Sequence, residues 1–126
     1  MTMKSLLPLS LALMLLTGCT ATITNLTPRQ TTRNANNLYP FEVAWETRQG
    51  TLKKETIKPY VVIGMEQYPM QPAPSVPDRW EAIIPIPADQ QFINYRYKFD
   101  YMYKAIPKPE SGSQMSQPYQ LEIRGK

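Results

Sequence analysis

Apolar and polar positions alternate with a period of two through much of this chain. The strongest stretch is 91–103, QFINYRYKFDYMY. Ile93, Tyr95, Tyr97, Phe99 and Tyr101 fall on one side there, and Asn94, Arg96, Lys98 and Asp100 on the other. Residues 39–48 repeat the pattern, with Tyr39, Phe41, Val43 and Trp45 on one side and Glu42, Ala44 and Glu46 on the other. Such alternation predicts half-buried strands. Three more are expected at 58–66, centred on Val61-Val62-Ile63, at 79–86, entered at Trp80, and at 117–124, where Tyr119, Leu121 and Ile123 alternate. Residues 20–26 alternate weakly and predict a first strand. No apolar stripe at three- and four-residue spacing runs through 20–126, so no helix is expected there.

Breaks separate these segments. Residues 27–38, TPRQTTRNANNL, read as a polar loop with at most a short edge strand. Gln49-Gly50 supplies a turn and 51–57 an irregular connection. Residues 67–78 hold four prolines and predict an extended, polyproline-like crossing loop. Residues 87–90 form a turn, 104–116 a loop with Pro, Gly and Ser, and Gly125-Lys126 a tail. Six or seven short strands with turns between them predict an all-β chain whose dry faces stack as two sheets. The expected version is an immunoglobulin-like or fibronectin-like antiparallel sandwich of about seven strands. A small barrel is the competitor that alternation alone does not separate. In the sandwich, 91–103 is the penultimate strand, and Tyr95 or Tyr97 is placed to act as a tyrosine corner.

Composition agrees with strands. Thirteen prolines in 126 residues disfavour helix interiors, and eight tyrosines favour sheets. The N-terminus departs from this pattern. Lys4 precedes an almost unbroken apolar run, Ser5–Leu16, and then comes Leu16-Thr17-Gly18-Cys19. The run is shorter than the roughly 20 residues that a membrane span needs, and it resembles a secretory leader. Its ending resembles the lipobox of bacterial lipoproteins: Leu, a small residue, Gly or Ala, then Cys. That resemblance implies a signal peptide over 1–18 and a lipid-modified Cys19 as the first mature residue. Residues 19–38 would then be the lipidated Cys, a first strand or tether and a polar loop, and 20–126 a single β-sandwich domain. The implied address is the cell envelope. Thr20 stands where lipoproteins retained at the inner membrane commonly carry Asp, so the resemblance points to the outer membrane.

Composition also narrows the chemistry. The chain has no His and one Cys, so a Ser-His-Asp or Cys-His site is impossible and the commonest metal ligand is missing. The only thiol is assigned to lipid. No Gly-rich phosphate loop occurs, and Glu42 and Glu46 read as solvated outer-face charges. Met65, Met70, Met102 and Met115 are dispersed, which suits gap filling rather than a copper site. A non-enzyme with no cofactor is expected. The net charge of +4 is too mild to point to nucleic acid. Lys53-Lys54-Lys58 reads as a solvated hairpin, or more sharply as a contact for anionic headgroups or polysaccharide.

Binding is the remaining class of function. Three readings are open. In the first, the domain is a lipid-anchored interaction or structural module that binds another envelope protein, with loops 67–78 and 104–116 as contact surfaces and 20–38 as tether. In the second, it is a surface carbohydrate-binding module that uses Trp80 and nearby tyrosines. In the third, it is an assembly factor that pairs an edge strand with a client. Candidate binding residues are Trp80, Tyr68, Arg79, Tyr101 and Tyr103. Trp80 stands at a strand entry beside Asp78 and Arg79, a setting that predicts partial exposure. Trp45, mid-strand between apolar neighbours, is expected in the core. WEAIIPIP at 80–87 followed by INYRYKF at 93–99 resembles the middle of starch-binding-type modules, which are also immunoglobulin-like sandwiches. Their later loop tryptophan is absent here, so the resemblance implies the fold more than the ligand.

Overall fold

The computed structural model describes residues 21–125. Cys19 and the expected leader over 1–18 fall outside them. The described residues form ten strands and no helix: β1 (Ala21–Asn25), β2 (Gln30–Thr32), β3 (Leu38–Thr47), β4 (Leu52–Ile63), β5 (Glu66–Pro69), β6 (Gln71–Pro72), β7 (Arg79–Pro85), β8 (Phe92–Tyr103), β9 (Glu110–Met115) and β10 (Tyr119–Arg124). Two sheets face each other. One has the order β1-β3-β7-β6, the other β2-β10-β8-β4-β5, with β9 paired to β8 beside β10. These are the A-B-E-D and G-F-C-C′ orders of an immunoglobulin-like sandwich. It is an open two-sheet stack rather than a closed barrel.

Ten strands replace the expected seven because the first and last strands of that plan are each divided and an extra edge strand, β5, pairs with β4. The first runs as β1 in one sheet, turns at Thr27-Pro28, and continues as β2 in the other, parallel to β10. The last runs as β9, breaks at Ser116–Pro118, and resumes as β10. Proline again explains the crossing segment 67–78. It is too interrupted for a long strand, yet Glu66–Pro69 pairs with β4 and Gln71–Pro72 with β7, both at sheet edges where a missing N–H is tolerated.

Residues 52–57 belong to β4 and are not a separate connection. The register on β8 passes from Lys53↔Met102 to Lys58↔Asp100, so β4 carries three extra residues. An odd insertion flips the faces, and both Leu52 before it and Val61 after it point inward. Thr56 closes the gap. Its Oγ1 accepts from Met102 N at 2.9 Å and donates to the Lys53 carbonyl at 2.6 Å.

The core comes from the predicted faces. Tyr39, Phe41, Val43 and Trp45 of β3 meet Ile93, Tyr95, Tyr97 and Phe99 of β8, all buried. Each contributes about 1.5–3 kcal/mol when fully removed from water. Trp45 stacks on Phe99 at 4.7 Å, and Tyr95 meets Phe41 edge-on at 5.0 Å.

The tyrosine-corner expectation fails. Neither the Tyr95 nor the Tyr97 hydroxyl bonds back to the segment just upstream of β8. Both reach across the sandwich to the bend between β1 and β2. Tyr97 donates to Asn25 Oδ1 at 2.6 Å, and Asn25 Nδ2 donates to the Tyr95 oxygen at 2.9 Å. Thr27 Oγ1 lies 2.8 Å from the Tyr97 hydroxyl and accepts from Glu42 N at 2.9 Å. Burial raises the pKa of both phenols and keeps them neutral.

Candidate functional site

The ends of the sandwich differ. Ala21 pairs with Thr47, which places the start of the described chain at the end where β3 finishes. Three loops share this end. They are 48–51, which leads into β4, 73–78, which leads into β7, and 104–109, which joins β8 to β9; Lys104 N bonds to the Thr51 carbonyl and Trp45 N to that of Asp78. Arg124, the 33–37 loop, the Gly64-Met65 turn and the 86–91 turn lie at the opposite end, where Ile86 N bonds to the Asn37 carbonyl.

This geometry changes two expectations. Residues 21–32 are not a tether, because β1 and β2 are built into the two sheets. The segments 67–78 and 104–116, expected as contact loops, are each partly strand, through β5 and β6 in the first and β9 in the second. Their remaining loops, 73–78 and 104–109, sit at the same end as Ala21.

The candidate binding residues do not form one site. Trp80 is only 9% exposed and packs against Trp45 and Phe99, with ring centroids 6.5 and 5.8 Å away. It faces inward because the alternation of β7 puts Trp80, Ala82 and Ile84 on the inner side. A ring so placed offers no open stacking platform. Arg79 is on the outer face of the β1-β3-β7-β6 sheet, paired with Glu42 at 3.5 Å. Tyr68 lies on β5 opposite Val61, half-buried against the core at the edge of the other sheet. Tyr101 and Tyr103 are two apart on β8. Tyr103 donates to Glu110 Oε2 at 2.8 Å, and that bond with the carboxylate charge raises its pKa. Tyr101 lies over Gly112, where an added Cβ would stand 2.7 Å from the ring.

Two surface features were not read from the sequence. The first is an open groove of about 830 Å³ beside the β4 bulge, lined by Glu55, Lys58, Tyr60, Asp100, Tyr101 and Ser113 among others. Ser113 donates to Asp100 at 2.8 Å across its floor. The signal for it, three extra residues in β4, appears only once the pairing is known. The second is an apolar patch on the outer face of the β3–β7 pair. Leu38 lies opposite Pro85 and Pro40 opposite Ile83, with Ile83 70% and Leu38 41% exposed. β6 reaches only the Glu81 row, so no strand of that sheet lies beyond Ala82–Pro85 among the described residues. The patch sits at the end away from Ala21. Residue 38 was expected in the polar loop and no faces were assigned over 79–86, so this row of side chains appears only with the register.

No group of three or more His, Cys, Asp or Glu suited to a metal occurs among the described residues. No family model, curated protein or solved structure matches the chain.

Proposed function

We propose that this chain is a non-catalytic lipoprotein of the bacterial cell envelope, held to the membrane through Cys19 and binding another envelope protein. The observation that carries this reading is the lipobox-like Leu16-Thr17-Gly18-Cys19 ending two residues before β1. A lipid there leaves the folded domain no slack and holds it against the membrane. Acyl chains contribute about 0.8 kcal/mol per buried methylene, so the several chains of a lipoprotein make a lasting anchor. What supports a protein partner is the Leu38, Pro40, Ile83 and Pro85 patch, since contiguous exposed apolar surface marks interaction sites.

Two measurements test the two halves of this reading. Mass spectrometry of the N-terminal peptide should find Cys19 acylated, and Cys19→Ala should leave the domain folded but released from membranes. Retention of that variant as an integral protein would make the apolar run a span. A photocrosslinker at position 83 in intact cells should give a discrete protein adduct that is absent from a crosslinker at Met65. Identical outcomes at 83 and 65 would remove the partner claim.

A carbohydrate ligand is the second reading, favoured by Tyr60 and Tyr101 beside the charged groups of the β4 groove. Retardation on polysaccharide gels that is lost in Tyr60→Ala would support it. Failure to be retarded by any glucan would remove it.

A further inference from the structure

The end of the sandwich that carries Ala21 has a composition of its own. Its loops bring Arg48, Lys104 and Lys108 to the surface, and Lys53 and Lys54 follow at the start of β4. Ile106 stands between Lys104 and Lys108 and is 98% exposed, an unusual state for an apolar side chain. Val76 on the neighbouring 73–78 loop is 40% exposed and is flanked by exposed Pro74 and Pro77. The acidic groups at this end are Glu46, Asp78, Glu55 and Glu110, of which Glu110 already accepts from Tyr103. The loops 48–51 and 104–109 themselves carry three positive charges and no acid.

Resting on the lipoprotein reading, we propose that this end is a membrane-contact face. The 104–109 loop seats Ile106 among the lipid headgroups, while Lys104, Lys108 and Arg48 meet anionic phosphates. The length of chain between anchor and fold argues for a bilayer as the occupant. Two residues extend at most about 7 Å, so a lipid on Cys19 brings Ala21 and the three loops beside it to the headgroup layer. Charge complementarity argues the same way, because basic side chains near an anionic surface favour binding and an apolar tip between them inserts at the acyl boundary. The lipid would then anchor, and the loops would orient. The sandwich would stand with its strands along the membrane normal and the Ile83 patch at the outer end.

The chain's single cysteine makes the test direct. Acylation occupies the Cys19 thiol, so a cysteine introduced at Ile106 or at Met65 is the only site for an environment-sensitive fluorophore. The acylated full-length protein is reconstituted in vesicles of phosphatidylethanolamine and phosphatidylglycerol that contain brominated lipid. A probe in Ile106→Cys should shift to the blue and be quenched at least twofold more than one in Met65→Cys, which sits at the opposite end and is fully exposed. Adding Lys104→Glu and Lys108→Glu should reduce that quenching, as should vesicles without phosphatidylglycerol. If both probes remain equally water-exposed in protein whose Cys19 is acylated, the contact face is overturned while the lipoprotein reading stands. Quenching at 65 rather than 106 overturns it as well. If Cys19 carries no acyl chain and the protein does not bind the vesicles, both readings fall together.

Discussion

The Tyr97 hydroxyl donates to Asn25 Oδ1 across 2.6 Å and so joins the penultimate long strand to the bend where the first strand changes sheets. Asn25 and Thr27 form an Asn-Leu-Thr triplet that fits a glycosylation sequon. In this fold their side chains are committed to the two buried phenols and to the backbone of Glu42. A buried polar group that loses its partner costs about 1–3 kcal/mol. Tyr97→Phe removes the shared hydroxyl and leaves Asn25 Oδ1 and Thr27 short of a partner. Urea denaturation should show a loss in that range with an unchanged slope. Tyr103→Phe, whose bond is exposed, should be close to neutral.

The same phenols make the fold sensitive to alkali. Burial raises the pKa of Tyr97, and of Tyr95, above the ordinary value of 10.0. Unfolded phenols ionise near 10, whereas the folded ones stay neutral beyond it. Their contribution to stability is therefore complete below about pH 10 and is lost as pH rises past it. Stability should fall above that pH, and phenolate absorbance from these two rings should appear only with unfolding. Tyr97→Phe should flatten the fall.

Trp80 separates packing from recognition. Its ring fills the core between Trp45 and Phe99, so Trp80→Ala should cost about 3–5 kcal/mol, as other large aromatic truncations do. Any loss of ligand retention in that variant would report unfolding. Intrinsic fluorescence should resist acrylamide, since Trp45 and Trp80 are 2% and 9% exposed. A strongly quenched native spectrum would contradict this placement.

Gly112 is required by contact rather than by backbone conformation. An added methyl would meet the Tyr101 ring at 2.7 Å. Gly112→Ala should destabilise by about 1–3 kcal/mol, the usual cost of overpacking. Combining it with Tyr101→Leu should cost less than the sum of the two single changes, a coupling that a thermal-melt double-mutant cycle will reveal.

Thr56 bridges the β4 bulge through its hydroxyl. Thr56→Ser keeps the hydroxyl and should be tolerated. Thr56→Val leaves the Met102 N–H unpaired and should cost about 1–3 kcal/mol by chemical denaturation. Amide exchange at Met102 should rise in the valine variant alone.

Much of the fold was legible because period-two alternation is a local property. The inward faces of 39–48 and 91–103 were read residue by residue, and they form the core as expected. What stayed hidden depends on pairing. The division of the first and last strands, the three-residue bulge and the row of Leu38, Pro40, Ile83 and Pro85 all arise from register between distant segments. Trp80 shows the limit of reading from neighbours. Asp78 and Arg79 made it look like a surface residue, yet the alternation of its own strand turns it inward. The Asn25 and Thr27 clamp was missed because both sit in a polar run that reads as loop, and their partners are tyrosines about 70 positions away.

β2 runs parallel to β10, and Ala21 and Arg124, which lead out of this pair, lie at opposite ends of the sandwich. A pull applied between Ala21 and Arg124 would therefore drag these two strands past each other along their length. The bonds from Glu122 N to the Arg29 carbonyl and from Arg33 N to the Arg124 carbonyl would be sheared together rather than opened one by one. Under that particular load the split first strand would act as a mechanical latch.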